Sequence, residues 1–287
     1  MTETEQNFKP VMVSRRISMD RNTNLRSSGS ESTTDQGGRV LPFPGQSLAH
    51  APTNRDCVEY RTARSHADFR GAFELLQARY AEAGLATANA KSLRVLPYHL
   101  WTETQIFVAV KRTAAHRDQI IGSVSLVCDG NSGGIPMEST FGEAVTNLRR
   151  KGVPFGEVCS LCVESLGARS SVEMFGQLTR IMMYFARRRK LQTLLAVVHP
   201  RHSKFYQHAM GFQPIGGSAP YRQVGGQPGI PVLGSVNDQS QYRARWRKYY
   251  FDGVYDDAEL QPYPMNQIER IYFQSYMATD QAATRAA

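Results

Sequence analysis

The sequence predicts a mixed α/β fold of the α+β type. Two adjacent strand-like runs, 104–112 and 119–128, are separated by a short polar stretch, which predicts an antiparallel hairpin. The strongest amphipathic helix, about 170–190, lies between the apolar runs 156–164 and 191–198. This order predicts a parallel strand pair joined by a crossover helix. A hydrophobic content of 41% over 287 residues is enough to bury a core around these elements.

The first predicted strand covers residues 57–61, where polar and apolar side chains alternate. Ser65 and Asp68 then have the spacing of a helix capping box, with Asp in place of the usual Glu. Gly84 is expected to end this helix. Its apolar positions recur every three or four residues, at Phe69, Phe73, Leu76 and Tyr80.

The central part of the chain contains a polar, Gly-rich excursion at 129–134 and a predicted short helix at 141–150. The long helix that follows can begin with Ser170 or Ser171 as its N-cap. One apolar stripe runs along it, formed by Met174, Phe175, Leu178, Ile181, Met182 and Phe185. Such a stripe predicts that the helix packs on the sheet.

The C-terminal third is less regular. A last strand is expected to start at 213–215. Beyond it the sequence predicts a turn-rich stretch at 217–231, a strand at 231–236, a basic helix at 240–251 and a terminal helix at 265–277.

Composition divides the chain into three parts. Residues 1–55 are polar and Gly-containing, and we predict that they are disordered or loosely packed, although 11–17 can add a short strand. Residues 56–240 are expected to form the folded domain. Residues 241–287 are expected to form a helical extension that packs on it.

Charge and cysteine content narrow the class of partner and the compartment. The net charge of +9 suits an anionic partner, which can be nucleic acid, an anionic membrane surface or an acidic protein; the alternative is a solvated basic surface. Four cysteines do not make a disulfide framework, so a reducing compartment, the cytoplasm, is expected. The sequence has no apolar run of transmembrane length and no secretory signal pattern.

Residues 199–212 are the most informative stretch, because an apolar strand ends at a Pro and a short helix follows at once. This unit resembles the segment joining the fifth strand to the fourth helix in the GNAT acyltransferase superfamily. Residues 134–138, 141–143, 148–149 and 156–163 extend the resemblance to FeeM-type N-acyl amino acid synthases, which are similar to acyl-homoserine-lactone synthases. The resemblance covers about 57–216. It implies a GNAT-like, mostly antiparallel sheet with helices on both faces and a splayed central strand pair.

The resemblance also implies an activity: transfer of a long-chain fatty acyl group from an acyl carrier protein thioester to the α-amine of an amino acid. Glu157 is the candidate base, although it can simply cap its strand or pair with an Arg. Tyr206 is the candidate acid for the departing thiolate, although it can pack beside Phe205 and Phe212 in the core. His199 and His202 can instead titrate near neutrality, and His202 can cap the helix.

The donor is expected to bind in the gap between the splayed strands. The candidate pantetheine and acyl-binding residues are Ser160, Leu161, Cys162, Val163, Arg169, Ser170, Ser171 and His199. The loop at 164–171 has one Gly and lacks the Gly-rich spacing that grips a CoA diphosphate, which favours a carrier protein with its single phosphate. No tightly bound cofactor is expected; the donor substrate is acyl-4'-phosphopantetheine.

Carrier proteins are acidic, so basic clusters are the candidate docking residues. They are Arg149, Arg150, Lys151, Arg187, Arg188, Arg189 and Lys190, with a further basic group at 243–248. Each cluster can equally serve solubility or match a helix dipole. Peripheral contact with a membrane through the acyl product is also open.

Two departures from the family pattern leave the acceptor open. Ser160 stands where the family has Arg, and His199 stands where it has Asn. A non-catalytic GNAT-fold module that binds nucleic acid or a protein is one alternative, and an autoinducer-type acyltransferase is another. Cys159 and Cys162 are three apart on a strand and point to opposite faces, so no metal site is predicted.

Overall fold

A computed structural model of the chain describes residues 57–87, 91–112, 118–130, 133–164 and 167–284. The predictions for residues 1–55, including the strand at 11–17, lie outside the described residues. No described helix is both long and apolar enough to cross a membrane.

The strands form one sheet in the order β1-β2-β3-β4-β5-β8-β6, with β7 paired to β8. Only β4 and β5 are parallel; the other described pairs are antiparallel, which confirms the mixed, mostly antiparallel sheet. The strands are β1 (Cys57–Thr62), β2 (Thr104–Arg112), β3 (Asp118–Cys128), β4 (Phe155–Val163), β5 (Thr193–Val198), β6 (Gln213–Pro214), β7 (Ala219–Pro220) and β8 (Pro228–Ser235).

Helices cover both faces of this sheet. They are α1 (His66–Glu82), α2 (Glu138–Arg150), α3 (Ala168–Arg188), α4 (Ser203–Met210), α5 (Ala244–Phe251) and α6 (Gln267–Thr284). Strand β2 packs against helices on both faces of the sheet. Phe107 and Ala109 pack with α3, whereas Ile106 and Val108 pack with α1 and α6. Successive side chains of a strand point to opposite faces, so β2 contributes to two cores.

The capping box at the start of α1 is confirmed. The Ser65 hydroxyl accepts a hydrogen bond from the Asp68 N–H, and the Asp68 carboxylate accepts one from the Ser65 N–H. The helix ends at Glu82, and Gly84 adopts a φ of +70° just beyond it. Both helix signals are local in sequence, which is why they could be predicted.

The C-terminal third differs from its prediction in two ways. The strand β8 is inserted between β5 and β6, so the 213–215 segment makes only a two-residue edge strand. The basic helix α5 begins at Ala244 rather than 240, because Asp238 caps a separate short 3-10 turn at Gln239–Gln241. Trp246 and Tyr250 of α5 are buried against α3, so this helix has an apolar face beneath its basic one.

A bulge and a gap interrupt the sheet at β4. Ser125 of β3 lies opposite Cys159, but Ser123 lies opposite Cys162, so β4 carries one extra residue between these pairs. Ser160 sits in this bulge with a φ of +53°. The pairing of β4 with β5 ends at Val158 and Ala196, although β4 continues for five residues to Val163. The predicted splayed strand pair is therefore confirmed.

Candidate active site

The gap between β4 and β5 opens into a cleft of about 880 Å3, including its open mouth. Residues 157–161 of β4 and 196–198 of β5 form its floor, and the start of α4 forms one wall. Residues from 221–229, which comprise the connection from β7 and the first two residues of β8, line the other side. Strand β5 stays paired with β8 as far as Val198, so its outer edge is held while its inner edge is open.

Glu157 lies in the cleft and is only 1% exposed. Its Oε2 accepts a hydrogen bond from the Met137 N–H at 2.7 Å, and its Oε1 accepts one from the Tyr221 hydroxyl at 3.2 Å. Burial raises the pKa of this carboxyl to about 7, even though both hydrogen bonds favour the charged form. A carboxylate with a pKa near neutrality is suited to accept a proton from an amine.

Tyr221 was not identified from the sequence. It follows β7 and is buried over the cleft, where its hydroxyl meets Glu157 across 64 positions of sequence. Gly229 makes this position possible, because a Cβ there would collide with Val197 and would lie 3.1 Å from the Tyr221 Cβ. The sequence predicted only a turn-rich stretch at 217–231, and Gly229 within it was the available signal for this close approach.

A second buried cluster joins the bulge to the segment before β2. The Ser160 hydroxyl lies 2.9 Å from the Tyr98 hydroxyl and 2.9 Å from His99 Nε2. The Leu96 N–H donates to His99 Nδ1 at 3.1 Å. Tyr98 and Ser160 both line the cleft. No sequence motif points to Tyr98 or His99, which lie on a short 3-10 turn at Pro97–Leu100.

The opposite wall carries the predicted acid. Tyr206 lines the cleft from α4, with its ring packed edge-on to Phe175 and stacked on Phe212. Burial raises the pKa of its phenol, which keeps the hydroxyl protonated. Tyr206 therefore packs in the core and also lines the cleft, so its position agrees both with a core residue and with a candidate acid.

Both predicted histidines also line the cleft, and burial shifts the pKa of each below its usual value. His199 is the residue that caps, because its Nδ1 accepts from the Arg201 N–H before the 3-10 turn at Pro200–His202. Burial, helped by Arg201, lowers the pKa of His202 to about 4 and lowers that of His199. A neutral His202 then accepts a hydrogen bond from Arg201 Nε at 3.0 Å.

The remaining predicted donor-binding residues are distributed unevenly. Leu161 lines the cleft, but the Cys162 side chain packs beneath α1 and the Val163 side chain packs beneath α3. Gly167, rather than Ser170 or Ser171, is the N-cap residue of α3. In the first turn of this helix, Ser170 is exposed and Ser171 is buried. The side chain of Arg169 lies outside the described part of the structure.

Some of the predicted docking residues bind other groups of this chain, and the others are exposed. Arg149 pairs with both Asp129 and Glu138, and the Arg187 guanidinium donates to the carbonyls of Val236 and Tyr250. These two arginines therefore hold parts of this chain together. Arg188 pairs with Asp257. The other predicted cations are exposed: Arg150, Lys151, Arg189 and Lys190.

The sheet has the GNAT-like form, with a gap in its parallel strand pair, and both Glu157 and Tyr206 line the cleft at that gap. The chain belongs to the family of the N-acyl amino acid synthase FeeM, whose model matches residues 71–233, more than half of the sequence. This membership makes the protein an N-acyltransferase and confirms the family resemblance seen in the sequence.

Solved structures give a likeness at the level of the fold. The N-acyl amino acid synthase FeeM from uncultured soil microbes superposes with a TM-score of 0.56 and 20% identity, covering 66% of this chain and 97% of that one. The AHL synthase LasI gives a TM-score of 0.47 and 15% identity, covering 71% of this chain and 98% of that one. No curated protein sequence matches the chain.

Proposed function

We propose that this protein transfers a long-chain fatty acyl group from an acyl carrier protein thioester to the α-amine of an amino acid. The observation that carries the proposal is the position of Glu157, a buried carboxylate at the point where β4 and β5 separate. The open edges of these strands leave backbone groups that an extended pantetheine arm can pair with. The thioester carbon would then lie near Glu157.

The reaction is aminolysis. The amine nitrogen attacks the thioester carbon, the C–S bond breaks, and an amide and a thiol result. Glu157 takes the proton that the amine loses, directly or through a water molecule, and Tyr206 gives a proton to the departing thiolate. Since the cleft holds both reactants together, positioning supplies much of the acceleration, at most about 7–11 kcal/mol of the barrier.

A carrier protein is the donor that the surface favours. The helix α3 begins at Ala168, after a stretch of sequence that lacks the Gly-rich spacing needed to bind a diphosphate. Cations on the surface suit an acidic partner: Arg150, Lys151, Arg189, Lys190, Arg243, Arg247 and Lys248 are exposed. Arg149 and Arg187 are left out of the proposed docking surface because they bind groups within the chain.

The test is thiol release from acylated carrier protein in the presence of the standard amino acids, with mass spectrometry of the product. Glu157→Gln is the matched control, because it keeps the size of the side chain and removes the base. An N-acyl amino acid formed only by the wild type supports the proposal. Absence of thiol release with every amino acid would refute it. Faster release from acyl-CoA would refute the choice of donor alone.

The domain boundaries and the compartment belong to the same proposal. Thr179 of α3 and Tyr250 of α5 share a hydrogen bond of 2.8 Å between their hydroxyls, which supports a C-terminal extension packed on the catalytic domain. Cys128 and Cys162 are buried free thiols, as expected for a cytoplasmic protein. Fractionation of cells that make the protein would contradict this location if it appeared outside the cytoplasm.

A further inference from the structure

Building on the proposed function, we infer that the Tyr98 hydroxyl receives the carboxylate of the amino-acid acceptor and that His99 and Ser160 fix its orientation. Tyr98 would then touch the substrate, whereas His99 and Ser160 would be positioning residues.

His99 sets the direction of the first bond. Its Nδ1 accepts from the Leu96 N–H, so that nitrogen carries no proton. The ring is fully buried, and burial together with the nearby Arg94 lowers its pKa to about 3, which keeps it neutral. A neutral imidazole has one N–H, so Nε2 carries it and donates to the Ser160 oxygen 2.9 Å away.

Because Ser160 accepts from His99, its own proton is available for a hydrogen bond to Tyr98. The Ser160 hydroxyl is buried, and the Tyr98 oxygen, 2.9 Å away, is the acceptor that the described residues offer to its proton. A buried hydroxyl proton without an acceptor is costly, so Ser160 donates to Tyr98. The Tyr98 proton is then free to point into the cleft that Tyr98 lines.

Ser160 is held in this role by the backbone. A φ of +53° is uncommon for a residue other than Gly, so this backbone conformation is strained. The bulge brings the Ser160 hydroxyl toward Tyr98 and His99, whereas Leu161 next to it packs toward the core on the α3 face. The strained conformation and the two hydrogen bonds therefore occur at the same residue.

The charges around the cleft suit a zwitterion. Among the described residues that line it, none is Lys or Arg, so a carboxylate must be met there by neutral donors. Arg94 lies one layer behind, with its guanidinium 5.6 Å from the Tyr80 ring centroid and a hydrogen bond to the Gln223 carbonyl. The positive charge of Arg94 favours an anion beside Tyr98. Glu157, in the same cleft, would accept the proton of the amine.

The two ends of the acceptor would lie on one face of the sheet. Tyr98 belongs to the same buried cluster as Met137, whose N–H binds Glu157, and Cys159 packs against that cluster. An amino acid placed here would direct its amine to Glu157 and its carboxylate to Tyr98. The acyl arm would enter between β4 and β5, beside both.

The experiment compares two acceptors in the full-length protein with acylated carrier protein as donor. One is the amino acid that the wild type acylates fastest, and the other is the amine left when its carboxyl group is removed. The selectivity is the ratio of the two kcat/KM values. Tyr98→Phe should lower this ratio by about 10- to 100-fold, the loss expected for one hydrogen bond to a charged group, with kcat/KM for the amine nearly unchanged. Ser160→Ala should lower it in the same sense by less.

Tyr272→Phe on α6 is the control, since its hydroxyl binds Tyr276 and Arg70 on a surface away from the cleft. An unchanged ratio in Tyr98→Phe, or an equal loss with both acceptors, would overturn the inference, because a structural role would affect both alike. If Tyr98→Phe does not fold, Ser160→Ala decides by the same ratio. No wild-type turnover with any amino acid would instead refute the proposed function.

Discussion

Asp68 and Glu157 are both nearly buried, at 6% and 1% exposed, but their surroundings are opposite. Asp68 accepts two hydrogen bonds from the Arg61 guanidinium, at 2.7 and 2.8 Å, and one from the Arg64 N–H at 2.8 Å. Glu157 has one backbone N–H and one tyrosine hydroxyl, and no cation bonds to it among the described residues.

The two carboxyls consequently have opposite pKa shifts. Burial would raise the pKa of Asp68, but hydrogen bonds from Arg61, Arg64 and Ser65 outweigh it and lower the pKa. Burial dominates at Glu157 and raises its pKa to about 7. The comparison shows that paired hydrogen bonds from a cation lower the pKa of one buried carboxyl, whereas burial without a cation raises the pKa of the other toward the range that suits a general base.

The largest expected effect is on activity. Glu157→Gln should lower the rate of thiol release by about 10²- to 10⁴-fold, because it removes the general base. Its free energy of unfolding should change by less than about 1 kcal/mol, since the amide has nearly the same shape. Retention of more than a tenth of the wild-type rate would show that Glu157 is not the base.

Asp68→Asn should have the reverse effect, a loss of stability without a loss of catalysis. Removing the charge leaves Arg61 unpaired and weakens the capping box, which should cost about 3 kcal/mol in denaturant unfolding. Glu74→Gln is the control on the same helix, because its pair with Arg70 is exposed and should contribute less than about 0.5 kcal/mol. Equal losses in the two variants would contradict the structural role of Asp68.

The pH dependence of stability should have opposite signs at the two sites. Glu157 has a raised pKa in the folded state, so its contribution is fully present below its unfolded value and declines as the pH rises toward 7. Asp68 has a lowered pKa, so its contribution is present above its unfolded value and is lost as the pH falls through the folded one. Unfolding curves of wild type and each variant across pH 3–8 measure both slopes, and slopes of the same sign would contradict the assignment.

The smallest expected effect is a change in the pKa of Glu157 when its hydrogen bond from Tyr221 is removed. Tyr221→Phe removes a hydrogen bond that favours the carboxylate, so the pKa of Glu157 should rise further, by less than about one unit. The acid limb of the kcat/KM profile, expected near pH 7, should move to higher pH by that amount. Tyr242→Phe is the control, since its hydroxyl binds the Ser235 carbonyl instead. An unmoved limb in Tyr221→Phe would mean that this limb reports another group.

The sequence predicted the features that depend on neighbours in the chain. The capping box of Ser65 and Asp68 and the stripe of α3 are local patterns, and the structure has both. The position of Glu157 followed from the family pattern rather than from its own surroundings. Its raised pKa depends on burial by several elements, which no local pattern contains.

The partners of the site could not be predicted because they come from distant segments. Tyr98 and His99 reach Ser160 across more than 60 positions, from a short 3-10 turn without a motif. The intramolecular partners of two predicted docking residues were missed for a related reason. Arg149 and Arg187 looked like surface cations in the sequence, but each finds oxygen acceptors within the fold.

The gap beside β5 has a consequence for solubility. An unpaired strand edge inside a sheet is a template on which a strand of another molecule can add, and such addition starts aggregation. Residues 221–229 line the cleft at this gap, and we expect them to shield the open edge. The Gln223 carbonyl in this stretch accepts a hydrogen bond from the Arg94 guanidinium. Shortening this stretch should make the protein scatter light on storage even if it still folds, and a clear solution would show that the edge needs no cover.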